Sequence, residues 1–100
     1  MSDCVWSENP PNLSAQNATK DGNYVYLVAM KEIVVCIKDK TNKVSIVNLK
    51  ANEPQNIAGV APLKIQSKDL DSVNIFYQGS KVQLPNKNTT EVNLVAIQIQ

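Results

Sequence analysis

Histidine is missing from all 100 residues, and with it the commonest general base near neutral pH and the commonest metal ligand. Most hydrolase and metalloenzyme chemistry is left without its usual side chain. Cysteine occurs only at Cys4 and Cys36, far outside CxxC spacing, so neither a zinc ribbon nor a thioredoxin-like redox pair fits. No stretch approaches the ~18 consecutive apolar residues of a membrane span, and the residues after Met1-Ser2-Asp3 do not read as a secretory signal. Ten basic against nine acidic residues leave a net charge of +1 with no basic cluster, which argues against nucleic acid as a partner. No cofactor or metal site is read in the sequence.

What is present suits one globular domain, with 43% hydrophobic and 19% charged residues. Residues 7–23 collect Pro10-Pro11, several asparagines, Asp21 and Gly22, with Leu13 their one sizeable apolar side chain. Such composition reads as a loop. The expected organisation is therefore a flexible tail or linker end over 1–23 and a β domain over 24–100.

From Tyr24 the chain turns to short β-branched and aromatic runs broken by turns, the texture of strands. Residues 24–30 and 32–39 form the first two. Asp39-Lys40-Thr41-Asn42 then offers a tight turn in which Asn42 tolerates a left-handed backbone, and residues 43–49 return as the second arm of a hairpin. Leu63 and Ile65 alternate with Lys64 and Gln66, and Val73, Ile75 and Tyr77 alternate with Asn74 and Gln78. Phe76 is the apolar residue on the outer side of that strand. Gln78-Gly79-Ser80 reverses the chain, Val82 and Leu84 make a short strand stopped by Pro85, and residues 91–99 form the last strand.

Two runs change phase. Val92 and Leu94 share one parity while Val95, Ile97 and Ile99 share the other, and Val44/Ile46 stand against Val47/Leu49 in the same way. A bulge or burial on both faces would reconcile each. About seven short antiparallel strands at this spacing predict an all-β fold, a small β-sandwich or partly closed barrel.

The run Asn56-Ile57-Ala58-Gly59-Val60-Ala61-Pro62-Leu63-Lys64-Ile65, followed by Val73-Asn74-Ile75-Phe76-Tyr77-Gln78-Gly79-Ser80-Lys81-Val82-Gln83-Leu84, resembles the C-terminal extracytoplasmic domain of the RodZ family of bacterial cell-shape proteins. That family shows a G-x-A-P run leading into a strand, then V-x-I-x-Y-x-G-K-x-V-x-L. The hairpin from Val34 through Lys43 is similar to its W-x-x-V-x-D-x-x-G-K opening, with Val34 in place of the tryptophan and Asn42 in place of the turn glycine. The likeness spans about residues 27–99. The same residues have physical readings of their own. Gly59 suits a turn with unusual backbone angles, Pro62 can open a strand, Gly79 serves the next turn, and Tyr77 buries its ring while its hydroxyl seeks a partner at the rim.

The resemblance implies a non-catalytic periplasmic protein-interaction module of the cell-elongation machinery. Its parent would be a single-pass inner-membrane protein with a cytoplasmic helix-turn-helix domain, touching the membrane through a transmembrane helix that these residues lack. Its partners would be periplasmic cell-wall synthesis or shape proteins. A peptidoglycan- or carbohydrate-binding sandwich is the alternative, drawing on Trp6, Phe76 and the tyrosines. An enzyme would have to pair carboxylates from Asp39, Asp69, Asp71, Glu32 and Glu91, which otherwise read as solvated turn and edge charges. In an oxidising compartment Cys4 and Cys36 can form one disulfide; otherwise Cys36 is a small buried hydrophobe. Phe76 is either a contact anchor or a second core layer.

Overall fold

A computed structural model describes residues 4–99. Within them nine strands follow in order: β1 (Asn12–Leu13), β2 (Tyr24–Ala29), β3 (Ile33–Lys38), β4 (Val44–Leu49), β5 (Gln55–Ala58), β6 (Leu63–Gln66), β7 (Val73–Tyr77), β8 (Ser80–Val82) and β9 (Glu91–Leu94). One 3-10 turn at Leu70–Ser72 precedes β7. In β2 and β7 burial alternates residue by residue, because successive side chains point to opposite faces of a strand. Val25, Leu27 and Ala29 from β2 and Val73, Ile75 and Tyr77 from β7 face inward; Tyr24, Tyr26, Val28, Asn74 and Phe76 face outward and stay half-exposed.

The strands assemble into a five-stranded sheet, β1-β9-β6-β3-β4, and a four-stranded sheet, β5-β2-β7-β8, packed as a small sandwich. The core between them also takes in Val35, Ile37, Leu49, Leu63, Ile65, Leu70, Val82, Val92 and Leu94. Tyr77 is wholly buried, and its hydroxyl donates to the Gly22 carbonyl at 2.8 Å, so burial leaves no orphaned polar group there. The same burial raises the Tyr77 pKa.

The all-β sandwich expected from the sequence is the fold observed, with two more strands than expected and one parallel pairing. β1 runs parallel to β9, with Asn12 beside Asn93 and Leu13 beside Leu94. Of the segment read as a tail, residues 1–3 lie outside the described residues, and the part that follows is built into the domain: the Asn93 and Val95 amides donate to the Pro11 and Leu13 carbonyls, Ala15 and Ala18 are buried, and the Thr19 amide donates to the Gln78 carbonyl. Small and polar side chains suffice there because backbone hydrogen bonds do the anchoring.

Turn chemistry matches the reading at Asn42 (φ 68°) and at Gly79 (φ 83°), where Gln78 (φ 53°) and Gly79 form the two-residue β7–β8 loop. Gly59 is different. It has no left-handed φ; instead a Cβ there would meet the Leu63 Cδ2 at 2.6 Å, so close packing rather than backbone strain favours glycine, and a larger residue would make the Leu63 side chain shift. Pro62, after a cis Ala61-Pro62 bond, immediately precedes β6.

Neither phase change is a bulge. β9 ends at Leu94, and Val95 and Ile99 lie exposed in the irregular segment beyond it. In β4, Leu49 is buried and Val47 packs on the core, while Val44 and Ile46 face solvent.

Candidate functional site

A sandwich of two sheets has two outer faces, and here each carries apolar side chains the core does not use. On the four-stranded sheet, Tyr26 and Phe76 stand directly opposite each other on β2 and β7, ring centroids 5.7 Å apart and planes at 69°. That edge-to-face geometry is a favoured one for aromatic pairs. With Tyr24, Lys20, Asn56 and Gly79 they line a groove of about 320 Å³. Phe76 is therefore neither a core residue nor an isolated exposed ring: it is one wall of an aromatic groove. Tyr24 and Tyr26 join it because they share the outward parity of β2, a signal present in the alternation but obscured by the apolar character of both faces.

On the five-stranded sheet, Val34 (49% exposed), Val44 (44%) and Ile46 (54%) form an apolar patch along β3 and β4. β4 is the last strand of that sheet, so its outer edge keeps unpaired backbone groups. Glu32, Asn48 and Lys50 rim one end, with Glu32 Oε2 accepting from Asn48 Nδ2 (3.3 Å) and Lys50 Nζ (3.4 Å).

The N-terminal strap crosses the rest of that face and buries Cys36 and Glu91. Cys4 is disulfide-bonded to Cys36 on β3, the Trp6 ring lies 5.1 Å from Lys38 Nζ, and the Ser7 amide donates to Glu91 Oε1 on β9 at 2.7 Å. Cys36 is buried as a result, and Trp6 is engaged with Lys38 rather than free in a tail.

No family model, curated protein or solved structure matches the chain.

The carboxylates the sequence singled out are engaged in different parts of the fold. Asp39 closes the β3–β4 turn: Oδ1 accepts from the Thr41 amide (2.9 Å), the Thr41 hydroxyl (2.6 Å) and the Lys43 amide (3.1 Å), and Oδ2 from the Val60 amide (3.2 Å). The Thr41 hydroxyl lowers its pKa most, burial opposes, and the three amides add to the lowering. Asp69 pairs with Lys31 at 2.7 Å and accepts from the Ser72 hydroxyl, which together lower its pKa. Asp71 belongs to the 3-10 turn, Glu32 to the rim of the β4 patch, and Glu91 lies beneath the strap. Among the described residues no three His, Cys, Asp or Glu side chains cluster as a metal site, and no helix is long and apolar enough to cross a membrane.

One buried polar residue that the sequence marked only as part of a turn is Gln78. Its amide donates to the Ile97 carbonyl and accepts from the Ile97 amide (2.8 and 3.0 Å), so that it stands in for a strand partner and pins the C-terminal segment. A glutamine next to a turn glycine gives no local sign of a contact made 19 residues away.

Proposed function

We propose that the chain is a non-catalytic protein-interaction module, the extracytoplasmic part of a RodZ-like, membrane-anchored cell-shape protein, and that its partners are periplasmic proteins of wall synthesis or shape. The observation that carries the interaction role is the β4 patch: an unpaired strand edge beside Val34, Val44 and Ile46, with a polar rim. An apolar centre inside a polar rim is the usual anatomy of a contact surface, and an open edge can add a partner's strand. The family and compartment rest on the sequence resemblance. The disulfide agrees with the compartment, since such bonds persist where the surroundings are oxidising.

A photo-crosslinking side chain at position 46 of the complete parent protein, in cells, tests this. Crosslinks to periplasmic wall-synthesis proteins are expected from position 46, and Ile46→Lys, at a solvent-facing site, is expected to leave the domain folded while removing the contact and rounding the cells. A folded Ile46→Lys protein with unchanged crosslinks and normal rods would overturn the assignment.

A further inference from the structure

We propose that the aromatic groove of the four-stranded sheet is a second, separate binding site, and that it takes a saccharide unit bearing a carboxylate. Its volume, about 320 Å³, lies at the small end of the range for small-ligand sites, roughly 300–1,000 Å³. A protein partner would need far more surface than six lining residues offer, on the order of 800 Å² on each side. The occupant is therefore about the size of a sugar ring.

The lining fixes its chemistry. The walls are rings, Tyr24, Tyr26 and Phe76, with no aliphatic side chain among them. The crossed planes of Tyr26 and Phe76 make a corner into which a flat, partly apolar ring fits better than an extended chain. Around the corner stand polar groups that the fold leaves unused: the Tyr24 and Tyr26 hydroxyls, the Asn56 amide and the Lys20 ammonium have no partner among the described residues. Tyr77, by contrast, spends its hydroxyl on Gly22. Donors and acceptors spaced around stacking surfaces suit a ligand rich in hydroxyls. Lys81 stands directly opposite Phe76 on β8; among the described residues it has no ion-pair partner, and none of their carboxylates lines the groove. Two ammonium groups with no counter-charge among the described residues favour an anionic ligand.

The test is an amide-resolved NMR titration of the whole chain with N-acetylmuramic acid and with N-acetylglucosamine, which share a ring and differ by one carboxylate-bearing ether. The acid is expected to shift the amides of Tyr24, Tyr26, Asn56 and Gly79 and to bind about fivefold more tightly than the neutral sugar, the factor one exposed charge pair supplies. Lys20→Gln with Lys81→Gln is expected to erase that difference. Phe76→Ala is expected to weaken both sugars about tenfold, and Tyr24→Leu serves the same purpose should Phe76→Ala unfold. Equal binding of the two sugars overturns the carboxylate; shifts elsewhere, no shifts, or groove shifts with an acidic peptide but neither sugar overturn the site. None of these outcomes touches the β4 contact, which lies on the other sheet.

Discussion

At the scale of the residue, Asp39 shows how one side chain can hold a hairpin. It gathers four hydrogen bonds from three residues across the β3–β4 turn and the strand-connecting loop at Val60. Folding lowers its pKa below the ordinary 3.8, so its stabilisation is complete above that value and is lost as pH falls through the lower folded value. Asp39→Asn is expected to be less stable than the natural protein at neutral pH and to approach it in acid. Denaturation midpoints followed from neutral pH down through the carboxylate range check this, and a difference that stays constant with pH would remove Asp39 from that role. Strand phase is tested on β7. Ile75, 1% exposed, becomes an unpaired buried charge as Ile75→Asp, a cost of several kcal/mol against a total stability of ~5–15 kcal/mol, and folding is expected to fail. Asn74→Asp, on the half-exposed face, is expected to shift the thermal midpoint little. Residues such as Asn42 and Gly79 were legible because turn geometry is a local matter. Gly59 was legible only as a glycine, since the Leu63 side chain that a Cβ would displace belongs to the packing.

At the scale of the element, the strands with strong alternation were readable and the weak ones were not. β5 carries a single inward apolar side chain, Ile57, among Gln55, Asn56 and Ala58, and β1 has only two residues. Their pairing is set by neighbours rather than by pattern. In β4 the outward Val44 and Ile46 resembled a break in phase because alternation assumes polar residues on the wet face; here that face is apolar. The N-terminal strap was the hardest to read, since its anchors, Cys36, Lys38 and Glu91, are scattered along the chain. Its attachment has a measurable consequence. A cross-link between residues 32 apart restricts the unfolded chain, and Cys4→Ser is expected to cost about 2–4 kcal/mol. Reduction of the natural protein is expected to lower its denaturation midpoint as far as Cys4→Ser does, while leaving the midpoint of Cys4→Ser unaffected. Two alkylated thiols in non-reduced protein made in an oxidising compartment would show the strap to be untied.

At the scale of the whole molecule, the two candidate surfaces lie back to back. The β4 patch is on the outer face of one sheet and the aromatic groove on the outer face of the other, with the shared core between them. Packed sheets are separated by about 10 Å, and sites farther apart than that without common partners act nearly additively. The side chains concerned make no hydrogen bond or ion pair across the core: Ile46 and Val44 point away from it, as do Tyr26 and Phe76. A double-mutant cycle with Ile46→Lys and Phe76→Ala is therefore expected to give independent losses. Ile46→Lys should abolish protein crosslinks with unchanged sugar affinity, Phe76→Ala should weaken the sugar with unchanged crosslinks, and the double variant should show both effects at their single-variant size, within about 0.5 kcal/mol. Such a result describes a domain that can hold a protein on one face while its opposite face samples a glycan. A larger coupling would mean that the sandwich transmits a change from one sheet to the other, and the two surfaces would then have to be treated as one linked site.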